Sequence, residues 1–162
     1  MAWAKIGTDT LGSAGDTISV TAGTATKFNV ELTHYIYSGT VNPEVRLGNG
    51  SLDTGSNYAT RYSFNNGAED LTTSQDSIVY GFSAAGTTAF HIGYYINIAT
   101  EEKLLIQFGI YPGAAGAGSV PSRVEFVSKH VNTSTQDDVY GEVNTNTGDF
   151  AIDSNVTVLG TD

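Results

Sequence analysis

Residues 88–113, TAFHIGYYINIATEEKLLIQFGIYPG, place the tightest constraint on what this chain can fold into. Phe90, Ile92, Tyr94, Ile96 and Ile98 recur at every second position, and so do Leu104, Ile106, Phe108 and Ile110. A side-chain period of two marks strands with one buried face. The polar interval Thr100-Glu101-Glu102-Lys103 between the runs predicts a hairpin turn. On hydrophobicity alone, Phe90, Ile92, Ile96, Leu104, Ile106 and Phe108 are expected to fill a core, with Tyr95, Leu105 and Tyr111 pointing away from it.

The rest of the chain repeats this habit in shorter pieces. Strands are expected at Trp3–Leu11, Thr17–Ala22, Thr26–Ser38, Glu44–Leu47, Asn57–Phe64 and Ser77–Phe82, and after the hairpin at Arg123–Val131, Asp138–Val143 and Ile152–Leu159. In Thr26–Ser38, Phe28, Val30, Leu32 and Ile36 are assigned to the core face, and Asn29, Glu31, Thr33, Tyr35 and Tyr37 to the other. Turns lie at 12–16, 48–57, 65–67 and 113–118, all rich in Gly, Asn, Asp or Ser. About ten short strands with no helical periodicity between them indicate an all-β protein, a single antiparallel sandwich of jelly-roll-like build over residues 1–162. A chain of 162 residues buries roughly 68–70% of its unfolded surface, enough for a two-layer core. Nineteen Gly and nine Tyr against seven Lys plus Arg suit strands and turns better than helices.

A formal net charge of −10 argues against nucleic acid, which requires a cationic footprint, and against anionic membranes. No cysteine is present, so no disulfide framework forms. The N-terminal MAWAKIGTDTL lacks the apolar segment of a signal peptide, and no apolar run is long enough to span a bilayer. On that reading the chain is made and kept in a cytoplasm until release, and the Asn-x-Ser/Thr triplets at Asn49, Asn132 and Asn155 are accidents of composition.

Three constellations invite a chemical reading. Asp53-Thr54-Gly55-Ser56 matches the short motif of pepsin-like proteases, but those enzymes need two such carboxylates, each on a loop after an apolar strand. Here the flank is Gly48-Asn49-Gly50-Ser51 and there is no second copy, so an Asx turn is expected instead. His34, His91 and His130 have no metal-ligand spacing; His34 falls on the assigned core face and His91 on the opposite one. Asp53, Glu69, Asp70, Asp137, Asp138 and Asp149 sit in turns where structural calcium is an option, though none lies in a DxDxDG loop. No catalytic residues are assigned and no cofactor is expected.

The second face of the hairpin is more informative. Tyr35, Tyr37, Tyr95, Leu105, Tyr111, Val127 and Val131 are all out of phase with the apolar set, as is Leu159. A sheet apolar on both faces is usually covered by something. These residues are therefore the expected contact surface, to be covered by a neighbouring subunit, by a sugar ring stacked on tyrosine, or by the chain's own loops.

Several phrases together resemble a family of small virion proteins of marine tailed bacteriophages and their metagenomic relatives. They are Ala2-Trp3-Ala4-Lys5-Ile6-Gly7, the stretch Thr10-Leu11-Gly12-Ser13-Ala14-Gly15-Asp16-Thr17-Ile18, and Arg46 to Tyr58 with Arg61-Tyr62-Ser63. Gly148-Asp149-Phe150 and Val156-Thr157-Val158-Leu159-Gly160 complete the set. The resemblance implies a jelly-roll-like sandwich on the particle surface without enzyme activity, either a capsid decoration protein or a tail-fibre, receptor-binding one. It also implies a homo-oligomer, expected as a homotrimer, that contacts other virion proteins and in the fibre case a host glycan, with no membrane insertion.

Overall fold

In the computed structural model, residues 2–21, 26–39, 41–79, 87–134, 138–142 and 148–162 are described, the side chains of 138–142 excepted. They form twelve strands and no helix. Eight belong to one antiparallel sheet. These are β1 (Ala4–Thr10), β3 (Phe28–Ile36), β5 (Tyr58–Phe64), β6 (Asp70–Gln75), β8 (Thr88–Ile96), β9 (Lys103–Tyr111), β10 (Ser122–His130) and β12 (Asn155–Thr161). Their spatial order is β1-β12-β3-β8-β9-β10-β5-β6. The second sheet is small: β2 (Ser19–Thr21), β11 (Asp138–Glu142), β4 (Glu44–Gly48) and β7 (Ile78–Val79), in the order β2-β11-β4-β7. The chain passes repeatedly between the two layers of the sandwich.

Local chemistry explains the main turns. The β5–β6 connection runs through Asn65 (φ 48°) and Asn66 (φ 61°), and Gly67 N–H donates to Phe64 O at 2.6 Å. Two successive left-handed residues make a turn whose twist matches the flanking strands, and asparagine tolerates that conformation best after glycine. The β8–β9 turn passes through Thr100 (φ 72°) and is tied by the buried Lys103, whose Nζ donates to Ile98 O and Glu101 O at 2.6 Å each. Burial lowers the Lys103 pKa, and the Glu101 charge acts in the opposite direction.

The space between the sheets holds Ile18, Val20, Val41, Val45, Leu47 and Ile78 from the side of the small layer. From the large sheet come Tyr35, Tyr58, Tyr95, Leu105, Tyr111, Val124 and Phe126. Tyr35 stacks on Phe150 with centroids 4.9 Å apart and meets His91 edge-on at 5.7 Å. Each fully buried side chain of this size stabilises the fold by roughly 1.5–3 kcal/mol.

On β3, β8 and β9 the facing is the reverse of what hydrophobicity predicts, whereas on β10 and β12 Val124, Phe126, Val156 and Val158 fill the core as expected. Tyr35, Tyr37, Tyr95, Leu105 and Tyr111, expected outside, are core residues. Phe28, Phe90, Tyr94, Leu104, Ile106, Phe108 and Ile110 look into solvent. His91 is buried and His34 exposed, again the opposite of the expectation. The physical reason lies in the glycines. A Cβ at Gly93 would stand 3.1 Å from a Glu31 carboxylate oxygen and 3.2 Å from Gln107 Cγ, and one at Gly109 would collide with the His91 ring. The inner face alternates glycine with bulky tyrosine, histidine and glutamine, so large side chains lie flat over the gaps. Because the strand period is two, that choice turns every apolar neighbour outward.

Two further differences concern extent. Asp70–Gln75, read as loop, is the edge strand β6, paired with β5. Of the strand expected at Ser77–Phe82, Ile78–Val79 is strand among the described residues, while Ala22, Tyr80, Phe82, Asp137 and Val143 lie outside the described residues.

Candidate functional site: the outer face of the large sheet

The register of the central strands builds one continuous apolar surface. Across β3, β8 and β9, Leu32 pairs with Ile92 and Ile92 with Phe108; Val30 pairs with Tyr94 and Tyr94 with Ile106; His34 pairs with Phe90 and Phe90 with Ile110. Ile106 then pairs with Val127 on β10, and Leu104 with Lys129. Trp3, just ahead of β1, extends the surface at one end. Nine of these large side chains are between 41% and 54% exposed: Trp3, Phe28, Phe90, Tyr94, Leu104, Ile106, Phe108, Ile110 and Val127.

The surface is not flat. Trp3, Phe28, Tyr94, Ile96, Leu104 and Ile106 line a groove of about 520 Å³ on the β3 side of β9. On the β10 side, a hollow of about 360 Å³ runs between Leu71, Leu104 and Val127, and a smaller one of about 180 Å³ between Ile106, Phe108 and Val127. Leu104 and Ile106 border hollows on both sides, so the β9 row stands as a ridge between them.

Charge is confined to the rim. The outward positions of β3, β8 and β9 carry no acidic or basic side chain apart from His34. Beyond β9, Lys129 pairs with Glu102 at 3.1 Å, Arg123 with Glu125 at 3.4 Å and Arg61 with Glu69 at 2.5 Å. Exposed pairs of this kind contribute little to stability, but they keep this flank near neutral.

Of the residues assigned to contact from sequence, Val127 and Val131 (38% exposed) are on the surface, Leu159 is partly exposed, and Tyr35, Tyr37, Tyr95, Leu105 and Tyr111 are buried. The five buried ones cannot meet a partner or a sugar without unfolding the sandwich. The Tyr111 hydroxyl is used internally, meeting His91 Nε2 at 3.2 Å. Burial lowers the His91 pKa to about 3, so its imidazole is neutral at physiological pH.

The Asp-Thr-Gly-Ser motif proves to be structural. Asp53 Oδ1 accepts from Gly55 N–H at 2.8 Å, the Asx turn expected, and Asn57 Nδ2 donates to both carboxylate oxygens at 3.1 and 2.9 Å. Oδ2 lies 2.8 Å from Nε2 of the buried His130, whose ring stacks on Tyr58 at 4.4 Å and 12°. The Tyr58 hydroxyl in turn accepts from Leu47 N–H at 3.0 Å and lies 3.1 Å from both Leu47 O and Asp53 O. Burial would raise the Asp53 pKa, but hydrogen bonds from His130, Gly55 and Asn57 outweigh it and the net shift is downward. For His130 burial lowers the pKa and outweighs the opposing pull of Asp53. The pair is thus a neutral imidazole donating to a carboxylate, and it fastens loop 48–57 to the end of β10. Sequence reasoning missed it, because the partners are 77 positions apart.

Among the described residues no group of three or more His, Asp or Glu side chains is placed to hold a metal ion. Asp53 has both oxygens committed, and Asp70 accepts from the Tyr62 hydroxyl at 3.1 Å. Compared with protein-family models, with curated proteins and with solved structures, the chain finds no match.

Proposed function

We propose that this chain is a non-enzymatic structural protein of the bacteriophage particle surface, a capsid decoration or fibre-tip sandwich that attaches through the outer face of its large sheet. One observation carries the attachment role: a continuous, largely apolar face over β3, β8 and β9 on which His34 is the one ionisable outward side chain. The largest apolar patch of a typical monomer is roughly 300–600 Å², and larger ones mark interaction sites. The virion assignment is supported by the sequence resemblance over most of the chain. Asp53, the residue of the protease-like motif, is engaged with His130 in holding a loop.

Protein mass spectrometry of purified particles tests the reading. The chain should be present at a fixed copy number, and Ile106→Glu should abolish its incorporation while leaving the purified chain folded. Absence from particles would overturn the assignment.

Host-glycan binding is a second reading, favoured by the aromatic side chains Trp3, Phe28 and Tyr94 lining one groove with Asn29 and Thr161 beside them. It moves the stacking platform away from Tyr35, Tyr37, Tyr95 and Tyr111. Saturable binding on a glycan array that is lost in Tyr94→Ala would support it.

A further inference from the structure

We propose that the outer face is the interface of a symmetric dimer, in which the β9 ridge of each copy lies in the groove between β9 and β3 of the other. This deepens the attachment reading and rests on it for the face alone, not for the particle. Three observations select a second copy of this chain as the occupant.

The first is area. Nine large side chains, each about half exposed, present on the order of 800–900 Å² of largely apolar surface. A stable interface takes roughly 800 Å² from each partner. One partner copy therefore uses the whole face. A ring of three, the expectation from sequence, would need two such patches on every copy.

Shape is the second. Leu104 and Ile106 project between hollows on either side, and the larger hollow, about 520 Å³, is lined by apolar rings and Ile96. Ridge and groove lie side by side on one surface, so a twofold axis near β9 sets each ridge into the partner's groove at once. That is the self-complementary contact of an isologous dimer. Two sheets meeting in this way pack about 10 Å apart, as the layers inside a sandwich do.

The third is charge. A chain of net charge −10 repels its own copies wherever acidic residues meet. The central face carries none, and on its β10 flank the basic and acidic side chains are paired within the chain. Here two copies can meet without juxtaposing like charges.

The experiment is sedimentation equilibrium of the full chain from about 1 to about 100 μM, which populates the dimer at any affinity from about micromolar to tighter, the range that interfaces of this size cover. A mass twice 17.0 kDa is expected. Ile106→Glu should raise the dissociation constant at least about 100-fold, as loss of a central interface residue does, while Thr21→Glu, exposed on β2 of the small sheet, should leave it unchanged. Circular dichroism of Ile106→Glu should match the parent; if that variant fails to fold, Leu104→Arg serves in its place. A monomer at every concentration overturns the proposal, whether or not it binds neutral lipid vesicles or glycans. So does a trimer, or a dimer that both substitutions leave intact. A dimer absent from particles would refute the virion reading and leave this one standing; a particle-bound monomer would do the reverse.

Discussion

Gly109 lies directly beneath the imidazole of His91, so that a Cβ built on Gly109 would stand 2.5 Å from His91 Cδ2 and 2.9 Å from Val124 Cγ1. The two residues are register partners on β8 and β9. Their relationship decides which face of the hairpin goes inside. A ring as large as histidine can lie across the neighbouring strand only where that strand has no side chain.

Gly109→Ala should therefore destabilise the fold by about 1–3 kcal/mol, the usual cost of overpacking a filled core. His91 is buried, with the Tyr35 and Tyr111 rings packed edge-on against it at 5.7 and 5.6 Å. Gly12→Ala, with nothing within 4 Å of its Cβ, should change stability by less than about 0.5 kcal/mol. Chemical denaturation of both variants provides the measurement, and equal effects would refute the assigned packing.

The facing of β9 can be read from two adjacent leucines. Leu105 is buried and Leu104 half exposed. In an Ile106→Glu background that keeps the chain monomeric, Leu105→Ala should cost about 2–5 kcal/mol, the range for deleting a core leucine. Leu104→Ala should cost under about 1 kcal/mol, as surface changes do. The reverse ranking would restore the facing predicted from hydrophobicity and remove the proposed interface with it.

Acid should loosen the sandwich well before its carboxylates titrate. Unfolded histidine has a pKa near 6.5, and burial holds His91 at about 3. Between those values the unfolded chain binds the extra proton, so stability falls as pH drops from about 6.5 toward 3. The slope contributed by one such group is about 1.4 kcal/mol per pH unit. His130, also shifted downward, adds loss of the same sign below its unfolded pKa. His91→Gln cannot titrate and should flatten the stability–pH curve by one proton between pH 6 and 4. An unchanged slope would mean that His91 is accessible to protons in the native state.

The large-scale fold is legible in the chain because strand periodicity is local. The hairpin of 88–113 is there as β8 and β9, and no helix interrupts the described strands. Facing is a different matter. Hydrophobicity ranks Phe90, Ile92, Leu104 and Ile106 above Tyr95, His91 and Gln107, yet the structure buries the second set. The usable signal was Gly93 and Gly109, in phase with the tyrosines: a strand face that alternates large and absent side chains is built to be packed against. β6 was hidden because Asp70–Gln75, DLTTSQ, has one apolar residue and no apolar alternation. Of the candidate contact residues, Val127 and Val131 lie on the exposed surface, since their apolar character is not shared with a buried tyrosine row. The Asp53–His130 pair had no sequence signature, because only folding brings loop 48–57 to the end of β10.

That pair leads to the last prediction. The Tyr58 hydroxyl is buried between Leu47 and Asp53, accepting from Leu47 N–H at 3.0 Å with two carbonyls 3.1 Å away as acceptors for its own proton. Tyr58→Phe keeps the ring stack on His130 but strands a buried N–H, which costs about 1–3 kcal/mol. Asp53→Asn keeps an acceptor for Gly55 but loses the charged partner of His130 and should also destabilise. Both substitutions act on one loop held at two points. Once either point is released, the other has less to hold. The double variant should therefore lose less stability than the two single losses added, by about 0.5–3 kcal/mol of coupling. Urea unfolding of the four proteins in this cycle measures it. Additivity within about 0.3 kcal/mol would mean that the tyrosine and the aspartate anchor loop 48–57 independently.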